Sequence, residues 1–151
     1  MMNQPEKHQL PAYIKRLSHS LSQLIQIKAE PYGITNAQLN VMFCLKDGEA
    51  ITQKQLLHYL DVKSSTLTVL LEQLERKGLI IRKQHPNDLR AKILLLSEKG
   101  KKFIDQTVEP MAEELENHLL KGFEQSEKTQ LFNLLDQLLL NMEQTKKKLR
   151  E

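Results

Sequence analysis

The stretch Asp61-Val62-Lys63-Ser64-Ser65-Thr66-Leu67-Thr68-Val69-Leu70-Leu71-Glu72-Gln73-Leu74-Glu75-Arg76-Lys77-Gly78-Leu79-Ile80-Ile81-Arg82 changes periodicity partway along, and that change decides the fold. From Ser64 to Lys77, Leu67, Leu70, Leu71 and Leu74 recur at i, i+3, i+4 and i+7, which places them on one helical face. Gly78 is a good C-terminal stop. After it the helical period vanishes. Residues 79–84 and 91–96 read as two strands, and His85-Pro86-Asn87-Asp88-Leu89-Arg90 between them reads as a polar turn.

Upstream, Thr52-x-x-Gln55 is a capping box that opens a short helix with Leu56, Leu57 and Leu60. Asp61-Val62-Lys63 breaks it from the helix at 64–77. Thr35-x-x-Gln38 is a second capping box, followed by Leu39, Met42, Phe43 and Lys46 and stopped by Gly48. Pro11 opens a first helix with Ile14, Leu17, Leu21, Leu24 and Lys28, which ends before Pro31 and Gly33. Downstream, Ser97 is the expected N-cap of a long helix carrying Ile104, Val108, Met111, Leu115 and Leu119, with a bend at Pro110. Ser126 is expected to cap a last helix with Leu131, Leu134, Leu135, Leu138, Leu139 and Met142. The predicted order is α-α-α-α-β-β-α-α, a mostly helical α+β chain with one small β-hairpin.

Two short helices, a tight break and a basic hairpin have the layout of a winged helix-turn-helix, whose second helix enters the DNA major groove. The second helix here is 64–77. Away from its leucines it carries Ser65, Val69 and Arg76, with Thr66 and Thr68 on the flanks and Ser64 at the start. Small hydroxyls allow close approach and bond phosphates or base edges, and Val69 suits a thymine methyl. The helix N-terminus favours a phosphate. Ser64-Ser65-Thr66 taken alone also reads as a capping cluster; the hairpin directly after it favours DNA. Lys92 is a further candidate DNA contact, and Gln53, Lys54, Lys63, Arg82 and Lys83 are candidates for phosphate contacts.

Charge follows the same division. The net charge of +3 over 151 residues is unremarkable, but residues 76–102 carry nine basic and two acidic side chains, a net of +7. Residues 103–145 carry two basic and nine acidic, a net of −7. A concentrated basic block in a near-neutral chain suits a polyanion, although basic side chains also solvate loops.

Composition excludes other classes. With 40% hydrophobic and 27% charged residues the chain can bury a core and is not disordered. The longest apolar run is Val41 to Leu45, too short to cross a membrane. The N-terminus lacks the apolar segment of a secretory leader, and one cysteine, Cys44, leaves no disulfide framework. A cytoplasmic protein without membrane attachment is expected. The sequence holds no G-x-x-x-x-G-K-[ST], H-E-x-x-H, G-x-S-x-G or G-x-G-x-x-G, so an enzyme is not expected, nor a cofactor.

The sequence resembles the MarR family of bacterial transcription regulators. The resemblance rests on Asp61 to Thr68, on Leu74-Glu75-Arg76-Lys77-Gly78-Leu79-Ile80-Ile81-Arg82, on Asp88-Leu89-Arg90-Ala91-Lys92 and on Leu96-Ser97-Glu98-Lys99-Gly100. A D-x-R wing followed by a strand ending in L-[ST]-x-x-G is specific for that family. The resemblance implies one domain over 1–151, with a DNA-binding lobe at about 34–97 and dimerisation helices at about 10–30 and 98–148. It implies a homodimer on a pseudo-palindromic duplex operator, acting as a repressor. The groove-reading arginine falls on Arg90 and its bracing aspartate on Asp88; a narrow minor groove concentrates negative potential, which suits arginine. Two positions depart from the pattern: many members carry arginine where Val69 stands, and arginine or lysine where Leu89 stands. Residues 65–71 look like the recognition helix of the organic-hydroperoxide-sensing branch, but no cysteine stands near the start of the first helix.

Three kinds of signal remain open. The family commonly takes a small amphipathic or aromatic effector, for which Tyr13, His19, Met42 and Met111 are candidate lining residues, each of a kind more often found in ordinary core or interface packing. Cys44, within an apolar run, is expected to be a core thiol rather than a redox sensor. Glu114 and His118 share a helix face and form at most half a zinc site, so no metal is assigned. A winged helix that binds protein instead of DNA is the remaining alternative.

Overall fold

The computed structural model describes residues 9–151, so the N-terminal stretch in which no leader is expected lies outside the described residues. The chain runs through α1 (Leu10–Ala29), a 3-10 turn (Glu30–Tyr32), α2 (Asn36–Cys44), β1 (Ile51–Thr52), α3 (Gln53–Tyr59), α4 (Ser64–Arg76), β2 (Ile80–His85) and β3 (Asp88–Leu96). It continues through α5 (Glu98–Phe103), a π-helical segment (Ile104–Val108), α6 (Glu109–Leu119) and α7 (Gln125–Arg150).

Both capping boxes form. The Thr35 hydroxyl accepts the Gln38 N–H at 3.1 Å while the Gln38 amide oxygen accepts the Thr35 N–H at 3.1 Å. Thr52 and Gln55 exchange the same bonds ahead of α3. These caps satisfy N–H groups that the first helical turn leaves without partners. On α4, Leu67, Leu70, Leu71 and Leu74 are all buried. They join Leu39, Val41, Met42, Leu45, Leu56, Ile80, Leu94, Ile104 and Val108 in the core.

The hairpin is part of a three-stranded antiparallel sheet in the order β1-β3-β2. The two residues of β1, opposite Leu94 and Ile93, were not expected from the sequence. An N-cap residue is typically extended, and Thr52 is (φ −80°, ψ 159°). The entry to α3 is therefore already a strand, and it pairs with the free edge of β3. The turn is also tighter than expected: the strands run to Pro86 and Asn87, with His85 opposite Asp88.

The expected long helix after Ser97 is interrupted. The Glu109 N–H donates to the Ile104 carbonyl five residues back. Pro110, one residue on, has no N–H and crowds the carbonyl four residues before it, so a regular α-helical ladder cannot pass through unchanged. The π turn takes up the misfit. The N-cap of α7 is Glu124, not Ser126: its carboxylate accepts the Glu127 N–H, and its own N–H donates to the Glu127 carboxylate at 2.8 Å.

The L-S-x-x-G signature has a structural cause. The Ser97 hydroxyl accepts the Gly100 N–H at 2.9 Å and donates to the Gly78 carbonyl at 2.5 Å, tying the start of α5 to the end of α4. A Cβ on residue 100 would lie 2.0 Å from the Leu79 carbonyl oxygen, so only glycine fits.

The described residues form two compact units, 9–110 and 111–151. The first holds the sheet and almost all of the core. In the second, α7 runs for 26 residues without a single buried one. Among the described residues, no helix is long and apolar enough to cross a membrane.

Candidate nucleic-acid interface

The N-terminal turn of α4 is open. Lys63 holds the N-cap position in an extended conformation without a capping side-chain bond, so the hydroxyls of Ser64, Ser65 and Thr66 do not cap the helix at its N-cap. All three residues are exposed, and so is Lys63. Val69, one turn on, is 50% exposed, an apolar contact point facing solvent. Arg76 at the far end is exposed and only 3.9 Å from Glu72, a loose pair on one helix face.

Thr68 is differently placed. Its hydroxyl donates to the Ser64 carbonyl at 3.0 Å and accepts from the Gln53 amide at 3.0 Å. The Gln53 oxygen in turn faces the Arg82 guanidinium at 3.5 Å, and Arg82 Nε donates to the Glu75 carboxylate at 2.9 Å. This chain joins α3, α4 and β2. Thr68, Gln53 and Arg82 therefore spend polar groups on holding the three elements together, and Glu75, which the sequence did not single out, anchors the arginine. Among the charged candidates, Lys54, Lys83, Arg90 and Lys92 remain exposed.

The wing tip has a definite geometry. Gln84 lies opposite Lys92, yet the next residue, His85, lies opposite Asp88. Leu89, Arg90 and Ala91 are therefore looped out of the ladder as a bulge. Asp88 Oδ1 accepts the Arg90 backbone N–H at 2.9 Å, so the aspartate braces the arginine through its main chain. The Gln84 amide nitrogen donates to the carbonyls of Asp88 at 3.2 Å and Ala91 at 3.1 Å. The Asn87 N–H donates to His85 Nδ1 at 3.1 Å across the turn. Leu89 stands 87% exposed beside Arg90.

Between wing and helices these residues share one concave surface. Thr52, Gln53 and Lys54 form one wall, and Arg82, Arg90, Ala91, Lys92 and Leu94 form the other. Four cations line it, and the Glu75 carboxylate pairs with Arg82. Such a concavity raises the local concentration of an anionic chain.

The candidate sensing residues are scattered. Met42 is fully buried in the core of the first unit. His19 borders an open groove along α1 with Ser22, Gln23, Leu24, Gln26, Ile27 and Asn36. Tyr13 is exposed elsewhere on α1, where it packs against the Arg16 guanidinium. Met111 belongs to the second unit. Cys44 is half-buried rather than sealed in the core, and burial pushes its thiol above the ordinary pKa, which disfavours the reactive thiolate. His118 Nδ1 lies 2.7 Å from the Glu114 backbone oxygen. Among the described residues no three metal-ligating side chains cluster.

Comparison with known proteins agrees with this geometry. Residues 34–92, from the start of the second helix to the wing, match the MarR family model. The chain is 30% identical over 136 residues to the uncharacterized HTH-type transcriptional regulator YwoH of Bacillus subtilis, covering 85% of this chain and 98% of that protein. The crystal structure of apo MarR from Escherichia coli superposes with a TM-score of 0.80 at 28% identity, over 89% of this chain and 99% of that one. A serine-for-cysteine mutant of E. coli MarR complexed with operator DNA superposes with a TM-score of 0.75 at 27% identity, over 87% and 94% of the two chains. The curated relatives are transcriptional regulators rather than enzymes, and on sequence and fold together this chain belongs to the MarR family.

Proposed function

We propose that the protein binds a pseudo-palindromic DNA operator as a homodimer and represses transcription until a small amphipathic or aromatic effector releases it. The observation that carries this reading is the shared concave surface of Lys54, Arg82, Arg90 and Lys92 beside the open start of α4. In it, Ser64, Ser65, Thr66 and Val69 meet base edges or flanking phosphates in the major groove, and Arg90 enters the minor groove from the wing. Lys63, Lys83, Lys54, Lys92 and Arg76 meet phosphates, which set register without carrying sequence. Thr68, Gln53 and Arg82 act chiefly by fixing α3, α4 and the wing to one another.

The homodimer rests on unburied apolar surface. On α1, Leu17, Leu21, Leu24 and Ile27 are exposed, and on α7 so are Leu134, Leu135, Leu139 and Leu140. Helix faces of that width are normally covered in a stable protein. A symmetric partner supplies the same faces in return. For effector release, the groove beside His19 is the site the reading favours, because it is open and bordered by both polar and apolar side chains.

The test is a titration of the full-length protein with a duplex that it selects from a random-sequence pool. The logarithm of the affinity should fall linearly with the logarithm of salt, about 0.9 in slope for each phosphate neutralised. A flat response would remove the DNA reading. Selected half-sites should lie about 34 Å apart, one helical turn. Sedimentation as a monomer at micromolar concentration would remove the dimer. Benzoate that leaves the complex intact at millimolar concentration would count against an aromatic-acid effector.

A further inference from the structure

The wing bulge departs from a regular ladder. Looping Leu89, Arg90 and Ala91 out takes the carbonyls around the bulge out of the regular β2–β3 register. Two of them, on Asp88 and Ala91, point to the same donor, the amide nitrogen of Gln84. That amide has two hydrogens; one carbonyl, on Asp88, precedes the bulge and the other, on Ala91, is on its last residue. Gln84 is also the last residue of β2 in regular register, opposite Lys92. The side chain therefore clamps the bulge at the place where the register jumps.

We propose that Gln84 is a positioning residue for Arg90, holding the bulge in the one conformation that presents the guanidinium to the DNA. The proposal rests on the minor-groove role of Arg90 given above. Asp88 fixes the Arg90 N–H from just before the bulge, while Gln84 fixes the carbonyls of Asp88 and Ala91. Together they leave the Leu89–Arg90 pair little backbone freedom before DNA arrives. Binding then orders fewer groups, which is the origin of affinity gained through preorganisation. Neither bond is buried, so the core does not depend on Gln84.

The experiment combines a measurement without DNA and one with it, on the full-length protein. In the free protein, 15N relaxation reports the order of the amides of residues 89–91. Gln84→Met, similar in length but without donors, should lower their order parameters while the melting temperature stays within error. Gln84→Glu, an acceptor in place of the donor, should do the same. With the pool-selected duplex, Gln84→Met should weaken binding roughly three- to tenfold, the range expected for a hydrogen bond or two. In an Arg90→Ala background the same change should have no further effect, because a positioning residue acts only through the residue it positions.

Unchanged order parameters in both Gln84 variants would overturn the proposal whatever the DNA result. An equal loss of affinity with and without Arg90 would overturn it too, since Gln84 would then act by another route. If the order parameters fall but Arg90→Ala binds like wild type, the groove role of Arg90 is what fails. Gln84 would then shape the wing without positioning a DNA contact.

Discussion

The first unit and α7 have comparable apolar content and opposite ways of using it. In residues 34–108, Leu39, Leu56, Leu67, Leu71, Leu74 and Leu94 are buried with Ile80, Ile104 and Val108 in one core. In α7, no leucine at the same helical spacing is fully buried, and Leu139 and Leu140 are 60% and 64% exposed. The lobe holds most of the buried apolar side chains of the chain. The last helix carries apolar surface that the single chain does not use, and the energetic consequence of each leucine depends on which region it occupies.

Removal of residues 126–151 is the harshest way to break this comparison. If α7 covers apolar surface of a partner, the shortened protein should aggregate or sediment heterogeneously and lose DNA binding. A soluble truncation that still binds the selected duplex would show α7 to be dispensable. A milder contrast uses single leucines. Leu71→Ala in the core should cost about 2–5 kcal/mol of stability in denaturant titrations. Leu139→Ala should leave the fold of the dilute protein intact and shift only the concentration dependence of melting. Equal losses at low concentration would erase the distinction.

Within the interface the corresponding contrast is between Arg90 and Arg82. Arg90→Ala should weaken operator binding by about 1–3 kcal/mol and relax specificity at the contacted position, read by titration against single-base variants. Arg82→Ala should lower the melting temperature as well, because it leaves Glu75 and Gln53 without their partner. If both variants bind weakly and melt normally, Arg82 is a free phosphate contact and the bracing chain is of little consequence. The smallest effect concerns Leu89. Leu89→Lys restores the charge common at that wing position and should steepen the salt dependence by about one further phosphate, or 0.9 in slope. No change in slope would mean that the tip of the bulge stays clear of the backbone.

Much of the architecture was legible because it depends on short windows. Thr35 with Gln38 and Thr52 with Gln55 are caps three residues across, and both formed as read. The stripe Leu67, Leu70, Leu71, Leu74 identified the buried face of α4, and Ser97 capped the helix after the wing. Of the candidate interface, Lys54, Arg90 and Lys92, each singled out from the sequence, line one concave basic surface. Glu124 was missed as a cap because the serine two residues later is the more typical choice. β1 was missed because two residues carry no periodicity, and Gln84 because a polar residue on an exposed strand looks like solvated surface.

Composition, caps and periodicity by themselves determined that this chain makes long helices around a small basic wing, and that its positive charge is concentrated in and beside that wing. These are local properties: a capping box or a leucine stripe acts through neighbours one turn away. What only the tertiary structure decided depends on residues far apart in sequence. Ile51 becomes a strand because Leu94 is opposite it, and Arg82 becomes a strut because Glu75 and Gln53 converge on it. Arg90 stands clear of the sheet because Gln84 and Asp88 hold the bulge that carries it. Such pairings pay a loop-closure cost that only the assembled core repays, so no window of sequence announces them.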